Sequence, residues 1–154
     1  MKRILVVCTG NTCRSPLAAA LLARGLQAAG RSDIVVESAG TGAWEGAPAS
    51  EGSYLVALEH GLDLSSHRAR MLDAGLVASA DLILTMGRPH LGRVRELGGG
   101  GRAHLFGEFA GHAGHGAEVD DPYGGDLEDY RATLRTIGGM LPGVVARITG
   151  ASAP

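Results

Sequence analysis

The opening of the chain constrains the fold more than any other feature of the sequence. Ile4-Leu5-Val6-Val7 is a short apolar run, β-branched in part, and such runs are typical of buried parallel strands. A polar, turn-like segment follows from Thr9 to Ser15, and Pro16 then stands where the first turn of a helix accepts proline. Leucines continue at helical spacing as far as Leu26. The sequence therefore predicts a buried strand that turns directly into a helix.

The alternation of strand and helix continues along the chain. Further apolar runs predict strands at residues 34–36, 82–84 and 103–106, and helical spacing follows Pro48, spans 91–97 and extends from Leu127 to Ile148. Alternation of this kind favours a doubly wound α/β fold. We expect one three-layer domain over residues 1–154, with a small four-stranded parallel sheet and helices on both faces.

Two segments and the tail predict irregular structure. Residues 107–125 hold six glycines and show no periodicity, which indicates a long loop. In the last helix, Gly138, Gly139 and Pro142 predict a kink or a break midway. The tail, residues 150–154, is expected to be disordered.

Composition and charge exclude several classes of protein. The 154 residues are 45% apolar, which fits a globular domain with an ordinary core. The net charge is −2 and lysine and arginine never form a dense run, so a nucleic-acid partner is not indicated. The apolar run near Met1 is shorter than the roughly 7–15 residues of a signal peptide core. Since no stretch approaches the ~20 apolar residues of a membrane span, we expect a cytoplasmic protein with no membrane partner.

The first loop has the composition of an anion site. In α/β folds, ligands bind at the carboxyl ends of strands, and here Cys8, five further residues and Arg14 follow the first strand. A loop of that length can curl so that its N–H groups point inward beside the helix N-terminus. Arg14 adds a planar fork for two phosphate oxygens, and the same positive environment stabilises a thiolate at Cys8. The loop therefore predicts a phosphate cradle that also activates a nucleophile.

The remaining loop residues are expected to support this cradle. Ser15 can donate a hydrogen bond to the Cys8 thiolate, and Asn11 tolerates a left-handed backbone better than most residues. The residues predicted to bind phosphate, besides Arg14, are Thr9, Gly10, Asn11, Thr12, Cys13 and Ser15. The spacing of Cys8 and Arg14 alone occurs often by chance, and a buried cysteine is commonly a small apolar residue. The strand before the loop and the Ser-Pro and helix after it favour the catalytic interpretation.

The segment from Val7 to Pro16, Val-Cys-Thr-Gly-Asn-Thr-Cys-Arg-Ser-Pro, resembles the signature of the low-molecular-weight protein tyrosine phosphatases. Residues 37–41, 66–69, 80–86 and 121–124 are similar to other segments of that family. The resemblance implies a hydrolase that acts on a phosphorylated protein through a phosphocysteine intermediate, without cofactor or metal. It also implies that Asp121, directly before Pro122, is the general acid and later the base for water.

The same resemblance assigns supporting residues around the site. Trp44 and Tyr123 are expected to form apolar walls of the cleft, although either could be ordinary packing. Ser38 is expected to hold Asn11. Glu37 and His67 are expected to form a buried structural pair.

Two positions depart from the common tyrosine phosphatase pattern. Thr12 stands in place of an isoleucine and Gly124 in place of an aromatic residue, and both resemble the bacterial protein arginine phosphatases. A threonine hydroxyl could face a guanidinium group, which slightly favours phosphoarginine over phosphotyrosine as the substrate. Trp44 and Tyr123 suit an aryl substrate, so a protein-tyrosine phosphatase stays the alternative.

Three other classes fit the sequence less well. Arsenate reduction on this fold needs further cysteines, and none follows Cys13. A metal site would have to come from a set of histidines and aspartates that lacks cysteine: His104, His112, His115, Asp120 and Asp121. A phosphate-binding module without catalysis needs neither Cys8 nor Asp121.

Redox behaviour and assembly complete the expectations. The curvature of the first loop can bring Cys8 and Cys13 within bonding distance, so mild oxidation is expected to join them in a disulfide. In the alternative, Cys13 simply packs beneath the loop. A monomer is expected, with the oligomeric state left open.

Overall fold

Four short parallel strands form the centre of the molecule. The computed structural model describes residues 1–150, and the predicted disorder of residues 151–154 lies outside the described residues. The strands are β1 (Arg3–Cys8), β2 (Val35–Gly40), β3 (Leu82–Thr85) and β4 (Ala103–Leu105). They pair in the order β2-β1-β3-β4, which confirms the predicted sheet. β1 therefore lies in the middle of the sheet, and its carboxyl end, at Cys8, faces the loops of two neighbouring strands.

Six helices cover the sheet. They are α1 (Arg14–Ala28), α2 (Glu51–Glu59), α3 (Ala74–Ser79), α4 (Arg88–Glu96), α5 (Phe106–Phe109) and α6 (Leu127–Thr149). Because side chains alternate across a strand, Ile4 and Val6 of β1 face one core and Leu5 and Val7 face another. The first core contains leucines of α1 and apolar residues of α6, and the second contains apolar residues of α3 and α4. The predicted three-layer arrangement is confirmed.

The predicted break in the last helix does not occur. α6 is continuous through Gly138, Gly139 and Pro142. Pro142 is exposed, so the carbonyl that loses its helical hydrogen bond lies near solvent. Gly143 fits close to α5, because a Cβ atom there would lie 2.4 Å from the carbonyl oxygen of Ala110.

The segment 107–125 is more ordered than the sequence predicts. α5 covers its beginning, and a 3-10 turn spans Gly114–Ala117. Gly107 allows the two to meet, since a Cβ atom there would lie 2.4 Å from the carbonyl oxygen of Ala117. The prediction of one continuous loop was wrong, because close backbone packing leaves no mark in hydrophobic periodicity. Residues 119–126, the strap, are irregular and lie beside the first loop, where the Val119 carbonyl oxygen accepts a hydrogen bond from Arg14.

Candidate active site

The first loop, from Cys8 to Arg14, joins β1 to α1. Cys8 is buried at the end of β1, and its Sγ lies 3.0 Å from Oγ of Ser15 in the first turn of α1. The N-cap of α1 is Cys13, which makes no side-chain capping bond. Because no side chain caps them, the N-terminal N–H groups of this helix are available to bind an anion.

The carbonyl oxygens of five residues between Cys8 and Cys13 accept hydrogen bonds from the surrounding chain. The oxygens of Cys8, Thr9 and Thr12 accept from backbone N–H groups at 2.9–3.0 Å. Asn11 O lies 2.6 Å from Nε2 of His67, and Cys13 O accepts from the Ser53 hydroxyl at 3.1 Å. Within residues 1–150, no backbone N–H from position 10 to position 13 donates to a protein acceptor. The loop therefore presents a set of free N–H donors, as an anion-binding nest does.

Asn11 fixes the curvature of the loop. Its φ is 56°, in the left-handed region that asparagine tolerates best among residues with a side chain. Its buried amide donates to the hydroxyls of Ser15 at 2.8 Å and Ser38 at 2.9 Å and accepts from Arg70 N–H at 2.9 Å. The contact between Ser38 and Asn11 agrees with the role expected from sequence. Asn11 thus joins the loop to β2 and to the segment before α3.

Arg14 lies beneath the loop with one buried donor unused. Its Nη1 donates to the carbonyl oxygen of Val119 at 2.9 Å, and its Nη2 donates to Thr9 Oγ1 at 3.4 Å. Nη2 also lies 3.5 Å from Oδ2 of Asp121. The buried Nε has no hydrogen-bond partner among the described residues. Because an unpaired buried donor is costly, this guanidinium is suited to an anionic ligand.

Asp121 lies on the strap after Val119 and is also next to Arg14. Its carboxylate accepts the Tyr123 N–H at 3.1 Å and is 45% exposed. A cavity of about 230 Å³ is lined by Cys8, Thr9, Gly10, Thr12, Cys13, Arg14, Asp121 and Tyr123. Asp120 does not line this cavity. The structure therefore brings Cys8, Arg14 and Asp121 together around one small cavity, with Tyr123 at its wall.

Two predicted supporting roles are corrected by the structure. Trp44 is 84% exposed and does not line the cavity, because no described residue covers its ring. Glu37 and His67 do not pair with each other. The Glu37 carboxylate binds Arg3 and, at 2.8 Å, Arg70, which satisfy it with two cations. Burial lowers the pKa of His67, so its neutral ring donates Nε2–H to Asn11 O.

Sequence reasoning missed a second histidine beside the site. His90 lies in the first turn of α4, and its Nε2 is 2.8 Å from Thr9 Oγ1. Its Nδ1 accepts the Gly87 N–H at 3.0 Å. Burial, followed by the nearby Arg14 cation, lowers the pKa of His90 to about 4. Its place just after β3, next to β1 in the sheet, was the signal that could have identified it.

The alternative metal site is not assembled. Across residues 1–150, no three side chains of histidine, cysteine, aspartate or glutamate converge in a way that could hold a metal ion. His104 lies instead against Phe109, with ring centroids 5.3 Å apart.

None of the described helices is long and apolar enough to cross a membrane.

Comparison with known proteins identifies the family of the chain. Residues 3–152 match the family described as low molecular weight phosphotyrosine protein phosphatase. The chain is 38% identical over 150 residues to a probable low molecular weight protein-tyrosine-phosphatase EpsP of Ralstonia solanacearum, covering 96% of this chain and 97% of that protein.

Two solved structures share the fold. A low molecular weight protein tyrosine phosphatase from T. tengcongensis superposes with a TM-score of 0.86 at 36% identity, covering 94% of this chain and 98% of that one. The YwlE arginine phosphatase from Geobacillus stearothermophilus also gives a TM-score of 0.86, at 32% identity, covering 97% and 94%. Taken with the geometry of Cys8, Arg14 and Asp121, these matches show that the chain belongs to the low molecular weight phosphotyrosine protein phosphatase family and is a hydrolase of that class.

Proposed function

We propose that Cys8 is the nucleophile of a protein phosphatase and carries the phosphoryl group as a phosphocysteine intermediate. The observation that carries this proposal is a set of backbone N–H groups at positions 10–13 without a protein acceptor in the described chain, next to a cavity lined by Cys8 and by Arg14, whose buried Nε is also unpaired. Such preorganised donors stabilise the negative charge of a phosphoryl group during transfer. Ser15, 3.0 Å from the sulfur, stabilises the thiolate before attack and when it leaves.

Each of the two steps needs one proton transfer, and we assign both to Asp121, which lines the same cavity as Cys8. In the first step the Cys8 thiolate attacks phosphorus, the bond from phosphorus to the leaving atom breaks, and protonated Asp121 donates its proton to that atom. In the second step Asp121, now a carboxylate, takes a proton from water as the water oxygen attacks phosphorus. The phosphorus–sulfur bond then breaks, which releases inorganic phosphate and restores the Cys8 thiolate.

Phosphoarginine is the substrate side chain that we favour, on the strength of Thr12. Thr12 lines the cavity, and within the described chain its hydroxyl meets only the Cys13 sulfur, at 3.8 Å. A hydroxyl with so weak a partner is available to accept from a guanidinium N–H. The exposed carboxylate of Asp121 offers a second acceptor on the same cavity. The arginine phosphatase named above is similar to this chain over nearly its whole length.

Phosphotyrosine is the second candidate, and a different observation favours it. Tyr123 lines the cavity and is 79% exposed, so its ring could stack on a phenyl ring at the mouth. The relatives from Ralstonia solanacearum and T. tengcongensis are named tyrosine phosphatases. The preferred substrate therefore depends on whether Thr12 or Tyr123 contributes more to substrate binding.

Steady-state kinetics on phosphoarginine and phosphotyrosine peptides with identical flanking residues tests the choice. Thr12→Val removes the hydroxyl and keeps the shape, whereas Thr12→Ile also adds apolar volume. We expect Thr12→Val to lower kcat/KM for phosphoarginine about tenfold and to leave phosphotyrosine nearly unchanged. Thr12→Ile should raise the ratio of phosphotyrosine to phosphoarginine activity further. If wild type prefers phosphotyrosine and neither variant changes that ratio, the phosphoarginine assignment is wrong while the phosphatase chemistry stands.

A further inference from the structure

Among the described residues, the hydrogen bond that His90 makes to the lining of the 230 Å³ cavity goes to Thr9. Its ring is buried at the start of α4 and does not line the 230 Å³ cavity, whereas Thr9 lines that cavity. Thr9 Oγ1 lies between two donors, His90 Nε2 at 2.8 Å and Arg14 Nη2 at 3.4 Å. Arg14 is held on its other side by the carbonyl oxygen of Val119 at 2.9 Å. Thus one hydroxyl connects the α4 histidine to the arginine under the loop.

The protons of this chain can be assigned from its donors and acceptors. Nδ1 of His90 accepts the Gly87 N–H, so the neutral ring carries its proton on Nε2. Nε2–H therefore donates to Thr9 Oγ1. Arg14 has only donors, so Nη2 also donates to that oxygen. Both lone pairs of the Thr9 hydroxyl are then occupied. Its side chain can form one further hydrogen bond, as the donor through its own O–H.

We propose that His90 is a positioning residue for phosphate binding, acting through the hydroxyl of Thr9. Its Nε2–H holds Oγ1 where that oxygen steadies the Arg14 guanidinium and where the Thr9 O–H donates to a phosphate oxygen in the cavity. The proposal rests on the proposed function, since it assumes that the cavity binds a phosphoryl group. The two ring nitrogens of His90 thus have different tasks: Nδ1 caps α4, and Nε2 donates a hydrogen bond to Thr9.

Two substitutions separate these tasks. An asparagine amide lies near the position of Nδ1, so His90→Asn can still accept the Gly87 N–H and is too short to reach Thr9. A glutamine amide reaches the position of Nε2, so His90→Gln can still donate to Thr9. If His90 matters only as a cap, His90→Asn should be the milder change. If it positions Thr9, His90→Gln should be the milder one.

The measurement is the inhibition constant of inorganic phosphate together with KM and kcat. We expect His90→Asn to weaken phosphate inhibition about tenfold and to raise KM in parallel, with kcat within about threefold of wild type. His90→Gln should stay within about threefold of wild type in all three quantities. Equal inhibition constants for His90→Asn and wild type, or a larger loss in His90→Gln than in His90→Asn, would overturn the proposal.

A double-mutant cycle with Thr9→Val completes the test. Thr9→Val leaves the α4 cap untouched and should weaken phosphate inhibition at least as much as His90→Asn. In the Thr9→Val background, His90→Asn should then have no further effect on the inhibition constant. Additive losses would contradict coupling through Thr9, and an unchanged constant in Thr9→Val would do so even if His90→Asn failed to fold. If phosphate does not inhibit wild type at all, the proposed function fails instead.

Discussion

The first loop and the strap that carries the acid meet at one cavity, yet they are built in opposite ways. In the loop, Asn11 is fully buried and bonded on both sides of its amide, and every carbonyl from Asn11 to Cys13 has a partner. In the strap, the side chains of Asp121 and Tyr123 are 45% and 79% exposed. Within residues 1–150, the contacts that hold the Asp121 carboxylate are the Tyr123 N–H and, at 3.5 Å, Arg14.

The difference follows from what each segment has to do. Donors that stabilise a phosphoryl group are effective when they are fixed before the reaction, so a rigid, buried loop suits that task. An acid must meet the leaving atom of a substrate and later a water molecule, which requires an open position. In the proposed mechanism, phosphate binding belongs to the loop and proton transfer to the strap, so substitutions in the two segments should impair activity in different ways.

The largest expected effect comes from removing the nucleophile without disturbing the cradle. Cys8→Ser should lower kcat by roughly 10⁴-fold or more, on the scale of losses seen when a covalent nucleophile is replaced. Phosphate or vanadate should still bind, because the free N–H groups and Arg14 remain. Steady-state kinetics measures the loss of kcat, and calorimetric titration with vanadate measures the retained anion binding. Turnover equal to wild type would contradict the assignment of Cys8.

A smaller loss is expected in the strap. Asp121→Asn should lower kcat about 10²–10⁴-fold, the usual contribution of general acid catalysis, and the loss should shrink for leaving groups that need no proton. Asp120→Asn is the matched control, since Asp120 does not line the cavity. Measurement of kcat across a series of aryl phosphates checks this. If the Asp120 substitution proves more damaging, the choice between the adjacent acids is wrong.

Stability should distinguish the segments as clearly as activity does. Asn11→Ala removes the amide that bonds the hydroxyls of Ser15 and Ser38 and the Arg70 N–H, and it places alanine at a φ of 56°, so it should lower the free energy of unfolding by about 2–4 kcal/mol. Tyr123→Ala in the exposed strap should change it by no more than about 0.5 kcal/mol. Urea denaturation of both variants gives the comparison. Similar losses in the two variants would show that the strap is as firmly built as the loop.

The mildest substitution concerns recovery from oxidation. Cys8 and Cys13 line the same cavity and are both free thiols, so peroxide treatment should join them in a disulfide that dithiothreitol reverses. Cys13→Ala should keep most of its activity, within about threefold of wild type, and lose the ability to recover. Mass spectrometry of the oxidised protein checks the bond. Over-oxidised Cys8 beside a free Cys13 in wild type would remove the protective role of Cys13.

The sequence predicts the first loop well because its chemistry is local. The cysteine, the asparagine and the arginine follow one strand within a single turn of chain, and the structure leaves each of them where that pattern predicts. The sheet was predictable because β1 and β3 are short runs of apolar residues and β2 begins with one, although β2 continues beyond the predicted residues 34–36 to Gly40. The helix that begins at Leu127 was also predicted, but its continuity through Pro142 was not, because the exposure of Pro142 cannot be seen in a one-dimensional pattern.

Contacts between distant segments account for the remaining errors. Glu37 takes Arg70 rather than His67 as its partner, and the contact between Thr9 and His90 spans 81 positions. The contact between Arg14 and Val119 spans 105 positions. Strand order sets these neighbours, since β3 lies directly beside β1 and brings the start of α4 to the loop. Spacing along the chain contains no information on such pairs.

The most direct test of the central claim is to locate the phosphoryl group during turnover. The Asp121→Asn variant can be mixed with an aryl phosphate whose leaving group needs no proton, quenched within one turnover and mapped by mass spectrometry. Because the second step lacks its base, the intermediate should accumulate. We predict one phosphoryl group on the peptide that contains Cys8, absent when Cys8 is also replaced by alanine. A phosphoryl group on any other residue, or product release without a phosphorylated enzyme, would contradict the account.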